Sequence, residues 1–547
     1  MTRCVSLPAK EDALALLDYF LQTSHFLPQI FHKPTTISIV TEACSPTSDI
    51  HHRPTARMAC TGLTLSICAT AAFFWEKNAA DICRLFPSEE DASRQGRPWL
   101  RAAWNLLDQL RRIPCSESFE EVQANVILSD LIYNIEGCST RYRSLHHRTL
   151  AIAREISLHL IDAQPASNGV GTQEDEHQKE ERRRVWWHIA SSNWLLSVMG
   201  GPLDRVYSVN PQHMMVNMPA NINFSDLSSV LPDNAMTDMT YFCLRIRLAE
   251  TCRKVTDAFP LGSCEITDLP YDRVLAISRL FDDAHASMPH CYDLDAIIPA
   301  HAPASVRLVR RAIHLGFHAR RARIFRPFLL SKSHHQLDPR FKQFRALCLH
   351  SARVVVELAS GLVAEGLERG NTRTQWSGCV ISHLFIACVV LVTHPAFTGG
   401  DDDTSDSEVE GIRAELAGAR RLLERAAGVS SVTGNLVRKL VDVLKQRGVV
   451  AAASKSTPNS VNGYLSDNTT TVVGDSVETN GFLSAWLPAG GSGTASGDGG
   501  WDSDLSGGSQ PHIDGLEWTD LAGAALPDAD GWNQLFADLD AAFPAPL

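Results

Sequence analysis

Residues 180–217 read EERRRVWWHIASSNWLLSVMGGPLDRVYSVNPQHMMVN, and this stretch decides the fold class. Trp186, Ile189 and Leu196 recur at the spacing of one face of an α-helix. The Gly-Gly-Pro run at 200–202 then ends the helix, because glycine tolerates the left-handed conformation and proline cannot continue a helix. The pattern predicts a buried aromatic helix with basic residues near its start.

The same helical period recurs from residue 7 to about residue 450. In residues 124–135 the apolar positions are spaced 3, 1, 3, 1 and 3 residues apart, which is typical of an amphipathic helix. Five further segments have helical length and pattern: 145–162, 307–330, 344–367, 376–392 and 411–446. Alternating β-branched runs bounded by turn residues are scarce. The sequence therefore predicts an all-α fold, a multi-helix regulatory domain followed by a disordered acidic tail.

Charge is distributed unevenly along the 547 residues, whose formal net charge is −12. Residues 451–547 contain one base and 13 acids, so residues 1–450 contain 49 of each. A neutral body lacks the basic surface that phosphate binding requires. Bulk electrostatics therefore does not favour a nucleic-acid binder.

The N-terminus, the apolar runs and the cysteines argue against a secreted protein, a membrane protein and a cysteine zinc site. Charged residues occupy positions 10–12, where a secretory signal would be apolar. The longest clean apolar run, residues 384–392, is short of the roughly 20 residues that cross a bilayer, so no membrane association is expected. None of the 14 cysteines forms a C-x-x-C pair. They are interpreted as small buried apolar residues rather than zinc ligands.

The composition changes after residue 450, and three domains are predicted. Residues 1–450 form the helical domain, 451–510 a flexible Ser/Gly/Asn-rich linker, and 511–547 an acidic-aromatic activation segment. In that segment the apolar residues are spaced 3, 1, 3 and 4 apart, which would form one stripe on a helix: Trp532, Leu535, Phe536, Leu539 and Phe543. Such a stripe suits binding of a transcription coactivator in a helix-in-groove mode. The alternative is an ordinary C-terminal helix that docks on the body.

Two polar clusters are candidates for binding sites. The D-D-x-x-D arrangement of Asp402, Asp403 and Asp406 is the magnesium-diphosphate motif of helical isoprenoid synthases, which makes a metal-dependent isoprenoid enzyme the alternative from another class. The second metal motif of such enzymes is missing, so a solvated loop at 399–408 is favoured. The arginines at 320, 321, 323 and 326 are predicted to lie on a solvated helix face. The histidine doublets, including 146–147, are predicted at the surface or at helix caps.

The stretch at 180–217 resembles the central regulatory region of fungal zinc-cluster transcription factors. That family has an R-R-x-W-W helix and then a Gly-Pro turn, matched here by these residues: Arg183, Arg184, Trp186, Trp187, Gly201 and Pro202. Residues 7–34 resemble the opening helix of the family, 151–162 its G-L-H helix, and 322–330 its H-R-P-F-L helix. The resemblance covers about residues 7–450.

The resemblance implies a nuclear transcriptional regulator, not an enzyme, that controls a pathway or a biosynthetic gene set. The chain departs from the family pattern at Ser157, where the family has glycine, and at Asn193-Trp194, where it has Asp-Arg. The six-cysteine DNA-binding module of the family would precede Leu7, and six residues do so here. Either the sequence begins after that module, or the protein is a co-regulator that acts through a DNA-bound partner or as a homodimer. No cofactor is expected, except zinc in such a module.

Overall fold

The computed structural model describes residues 7–23, 28–45, 54–75, 85–136, 138–163, 176–199, 203–224, 229–232, 235–260, 265–298, 306–330, 339–369, 378–392 and 406–427. Across these ranges it has fourteen α-helices and no β-strand, which confirms the all-α prediction. The helices are α1 (Lys10–Thr23), α2 (Lys33–Cys44), α3 (Pro54–Phe73), α4 (Glu89–Leu110), α5 (Phe119–Glu136), α6 (Thr140–Glu155), α7 (Glu176–Leu196), α8 (Thr240–Ala258), α9 (Tyr271–Ala286), α10 (Val306–Phe325), α11 (Pro327–Leu330), α12 (Lys342–Arg369), α13 (Gly378–Val392) and α14 (Asp406–Ala427).

Helix α3 is the centre of the N-terminal half, where it packs against α1, α2, α4 and α5. Its side chains are small or apolar on nearly every face, as expected for a helix enclosed on all sides. A Cβ atom at Gly62 would lie 2.9 Å from Leu107 Cδ2, so any other residue here would force the buried Leu107 side chain of α4 to shift. By length and composition alone α3 also qualifies as a membrane span, but most of it is buried among its neighbours.

Helix α10 has the same role in the C-terminal half, where it packs against α8, α12 and α13. Helix α7 packs on α8, and α13 also contacts α5 of the first half. One continuous apolar core therefore runs through both halves, from α1 to α14. This core holds α5, α6, α7, α8 and α10 around a common centre.

One helix is shorter than the sequence predicts. The pattern at 145–162 predicts a single helix, but α6 ends at Glu155 and a short 3-10 turn follows at Leu158–Leu160. Ser157 between them has a φ of 59°, in the left-handed region that interrupts a right-handed helix. Serine here adopts the backbone conformation for which the family resemblance would supply glycine.

The other helix predictions are confirmed within the described residues, with small shifts in their bounds. The predicted helix at 307–330 is divided into α10 and α11 at Pro327, as expected where proline removes a backbone donor. Asp406 is the first residue of α14, so the predicted loop at 399–408 overlaps this helix. Asp402, Asp403, residues 428–450, the linker and the activation segment lie outside the described residues.

Candidate functional site

Helix α7 carries the Arg and Trp positions of the sequence motif and buries both tryptophans. Trp186 is 1% exposed and Trp187 is 5% exposed, which confirms the prediction of a buried aromatic helix. The Trp187 indole Nε1 donates a hydrogen bond to the Asn217 carbonyl at 2.8 Å. The ring of His159 packs against Trp186 with 5.8 Å between centroids. The Trp pair therefore fixes α7 to the segments before and after it.

Arg183 joins α7 to the turn after α6. Its guanidinium donates to both carboxylate oxygens of Asp162, with the shortest distance 2.6 Å, and to Glu176 at 2.6 Å. Asp162 also accepts the backbone N–H of Asn217 at 2.7 Å. The pKa of Asp162 is lowered mainly by the hydrogen bonds from Arg183. Arg183 is thus a positioning residue that holds two loops against α7.

Arg184 and its acidic neighbours tie the start of α7 to other parts of the chain. Arg184 is buried and donates to Glu180 at 3.0 Å and to the Gln29 carbonyl at 3.4 Å. The same Glu180 oxygen accepts the backbone N–H of Ala220 at 3.0 Å. Both motif arginines, Arg183 and Arg184, therefore hydrogen-bond to partners within the domain.

Asn193 and Trp194 hold the segment that returns after α7. The Asn193 side-chain oxygen accepts the backbone N–H groups of Ser208 at 2.7 Å and Val209 at 3.0 Å. The Trp194 indole donates to the Val209 carbonyl at 2.7 Å. Asn193 and Trp194, where this chain departs from the family pattern, thus both hydrogen-bond to the returning segment. Helix α7 ends at Leu196, and the motif positions Gly201 and Pro202 lie outside the described residues.

A cavity of about 210 Å³ lies where α5, α6, α7, α8 and α10 converge. We call it the central cavity. Part of its wall is apolar, and its polar lining includes these residues: Asp130, His146, His188, Tyr241, Arg245 and Arg320. They come from five helices, so sequence reasoning did not bring them together as a site, and it predicted Arg320 and His146 outside the core.

The titratable groups of the central cavity are shifted mainly by burial. Burial raises the pKa of Asp130 to about 6, although the Arg245 charge opposes this. Burial, and then neighbouring positive charge, lowers the pKa of His146 to about 4 and that of His188 well below its usual range. Near neutral pH the imidazoles are therefore uncharged, while Arg245 and Arg320 face one carboxylate. This excess of positive charge suits a ligand that carries an anionic group.

Arg245 is anchored to the neighbouring helix by neutral groups. Its guanidinium donates to the hydroxyl of Ser192 at 2.7 Å and to that of Ser191. Serine hydroxyls orient the guanidinium without neutralising it. The arginine charge therefore remains available to an anion in the central cavity.

The prediction of a solvated arginine face on α10 is wrong. Arg320 is 8% exposed and Arg321 is 7% exposed, because α12 and α13 cover this side of the helix. Arg320 donates to the Gly316 carbonyl at 2.8 Å, and Arg321 donates to Ser351 at 3.0 Å. His146 is also buried, although its doublet was predicted at the surface. The signal that sequence reasoning missed is the apolar residues that follow the helical period among these arginines.

Residues 17–228 match the family model described as "Fungal specific transcription factor domain". The chain is 33% identical over 480 residues to "Transcription factor TAS2" of Pyricularia oryzae, covering 80% of this chain and 61% of that protein. It is 28% identical to "Probable transcription factor lepB" of Aspergillus flavus, covering 83% and 80%. It is 26% identical to "Agnestins biosynthesis cluster transcription factor AgnL11" of Paecilomyces divaricatus, covering 84% and 64%.

The chain spans about three fifths of the length of the first of these relatives. Among solved structures, a chain of the "Structure of the K. lactis CBF3 core" matches with a TM-score of 0.49 and 12% identity, over 80% of this chain and 82% of that one. A likeness at that level supports no functional argument. All three relatives are named as transcription factors, in agreement with the family match at residues 17–228.

Proposed function

We propose that this chain, which carries a fungal specific transcription factor domain and is homologous to fungal transcription factors, regulates transcription of a biosynthetic gene set in the nucleus. The observation that carries the proposal is the domain match at 17–228. One relative is named as the transcription factor of a biosynthesis cluster, which supports the narrower assignment to a biosynthetic gene set.

The central cavity supports a sensing role for the helical domain. Its volume of about 210 Å³ accommodates a small organic molecule, and Arg245 offers a buried charge that serine hydroxyls orient but do not neutralise. We infer that the effector is a small molecule with an anionic group and an apolar body. Binding would tie α7 to α8, because Arg245 lies on α8 and its serine partners on α7.

Transcript profiling tests the proposed function directly. Deleting the gene is expected to change the transcripts of a defined set of genes, and restoring the wild-type chain should reverse that change. In the chain with Arg245→Gln, the same genes should lose their response to the effector while the protein remains folded. Ser66→Ala, which removes a buried hydroxyl of α3 bonded only to its own helix, is the matched control. An unchanged transcriptome after deletion would contradict the proposal.

The manner of DNA recognition has two candidates. The chain acts either in a protein that also carries a DNA-binding module, or as a co-regulator on a DNA-bound partner or as a homodimer. Chromatin immunoprecipitation locates the tagged protein at promoters. A gel-shift titration with the purified 547-residue chain then separates the two cases. Promoter occupancy in cells without specific binding of duplex DNA by the purified chain favours the partner.

The activation segment is proposed to recruit a coactivator through its apolar stripe. Its affinity would come from apolar surface buried in a partner groove, at about 25 cal/mol per Å². Long-range attraction by the acids alone would be screened within about 10 Å at 0.1 M salt. Net charge alone is therefore a weaker explanation than the spacing of the aromatic residues.

A reporter assay tests the activation segment when it is fused to an unrelated DNA-binding domain. Changing Trp532, Phe536 and Leu539 to alanine retains every charge, and reporter output is expected to fall to near background. Changing Asp538 and Asp540 to asparagine should reduce output less. Activity that depends on the aspartates and not on the aromatic residues would refute the stripe. A silent wild-type fusion would show that the segment does not activate.

A further inference from the structure

We propose that His285, His314 and His318 form a binding site for a zinc ion. Helix α10 supplies His314 and His318, and the last turn of α9 supplies His285. One ring nitrogen of each residue lies within 4.8 Å of the corresponding nitrogen of the others. The cluster contributes nothing to the central cavity or to the motif contacts of α7, and its chemistry is that of three imidazole ligands, which suit zinc.

His314 is oriented in the way that metal-binding histidines are oriented. Its Nε2 lies 2.9 Å from the Tyr292 carbonyl oxygen, and a carbonyl only accepts, so Nε2 carries the hydrogen. The lone pair is therefore on Nδ1. That atom is buried and has no hydrogen-bond partner. A backbone carbonyl that fixes the tautomer of a ligand histidine is the usual outer support of a zinc site.

His318 lies one helical turn after His314, so that both side chains are on the same face of α10. The two rings are nearly parallel, with 6.0 Å between centroids. The Nδ1 of His318 is also buried without a hydrogen-bond partner. A buried polar atom without a partner costs free energy, and a metal ion would satisfy both nitrogens at once.

His285 completes the site from the opposite helix. Its ring centroid is 5.4 Å from that of His314 and 6.3 Å from that of His318. Zinc–nitrogen bonds are about 2.0–2.1 Å long, so rotation of the three side chains must bring their nitrogens closer. His285 is only half-buried, so water can reach this edge of the cluster. The ring of His350 on α12 lies 6.0 Å from that of His318 and places a further imidazole beside the cluster.

The surrounding charges do not exclude a cation. Arg321 is the arginine beside His318, and its guanidinium lies 3.5 Å from the Asp282 carboxylate, a charge of opposite sign. Arg310 and Asp293 face His314 with opposite charges. The competing explanation is a metal-free aromatic cluster, since Phe317 packs against His285 and His318. Metal binding by the protein separates the two explanations.

The experiment uses the full 547-residue chain, stripped with a chelator and then titrated with zinc chloride. We expect one zinc ion per chain by mass spectrometry, and a melting temperature that rises on zinc binding and falls again on chelation. Cobalt substituted for zinc should give the visible absorption of a tetrahedral site with nitrogen ligands. Thiolate-to-cobalt charge-transfer bands would instead place the metal on cysteines and overturn the assignment.

Variants assign the metal to these residues. His318→Gln is expected to weaken zinc binding at least about tenfold. His285→Asn should do the same, and because His285 is half-buried this variant is the safer one for folding. The control is His213→Gln, which removes an exposed imidazole on the 3-10 turn Pro211–His213, outside both the cluster and the central cavity, and should retain full zinc content. Less than stoichiometric zinc in the wild type, or equal zinc affinity in wild type and His285→Asn, would refute the site.

Discussion

Replacing Asn193 with alanine is expected to lower the free energy of unfolding by about 3 kcal/mol. The side-chain oxygen of Asn193 is the acceptor for two backbone N–H groups, those of Ser208 and Val209. Val209 is buried, so its unpaired N–H would cost about 2 kcal/mol, near the middle of the range for buried donors. Ser208 is exposed and water can replace its partner, so its loss is about 1 kcal/mol.

The comparison with Asn193→Asp isolates the acceptor. Aspartate retains an oxygen for both amides, but it places a carboxylate at a position that is 3% exposed and loses the weak contact of the amide nitrogen with His146, at 3.5 Å. The two charge-assisted hydrogen bonds offset part of the cost of burying the charge, so we expect Asn193→Asp to lose less stability than Asn193→Ala. Urea unfolding followed by the helical circular-dichroism signal gives the free energies. The reasoning is wrong if the alanine variant is as stable as the wild type, or if both variants lose the same amount.

Three further predictions concern the motif helix and the central cavity. Trp186→Ala should cost about 3–5 kcal/mol through the cavity that it leaves, and a melting temperature unchanged from wild type would contradict the core assignment. Asp162→Ala should cost about 2 kcal/mol, with a smaller additional loss when Arg183→Ala is added, because both changes break the same ion pair. Burial lowers the pKa of His146 from 6.5 to about 4 in the folded state. Between these pH values the unfolded chain binds more protons than the folded one, so the free energy of unfolding falls as the pH decreases. The difference in the free energy of unfolding between wild type and His146→Gln, measured with urea, should therefore narrow by ~2 kcal/mol from pH 7 to pH 5, and a difference independent of pH would contradict the burial of a neutral imidazole.

The helices could be predicted from the sequence because their signal is local. Apolar residues at the 3.6-residue period identified α5 and α7, and their burial follows from the same pattern. The end of α6 could not be predicted, since serine at 157 gives no warning of a left-handed backbone. Local sequence patterns thus predict where a helix lies better than where it ends.

The polar interior could not be predicted because its partners are distant in the sequence. Arg321 is buried against Ser351 of α12 and near Asp282 of α9, contacts that depend on how three helices pack. An arginine run on its own has the pattern of a solvated face, and this is why the prediction for α10 was wrong. The same reason explains why Arg245 was missed, since its role depends on serines of α7.

Helix α10 carries both His318 and Arg320, so the proposed zinc site and the central cavity share one helix. A displacement of this helix that changes one site also changes the other. Thermodynamic linkage then requires reciprocity: the factor by which zinc alters the affinity for the effector equals the factor by which the effector alters the affinity for zinc. In the proposed regulator, zinc and the effector would therefore both act on α10, and each would change the binding of the other.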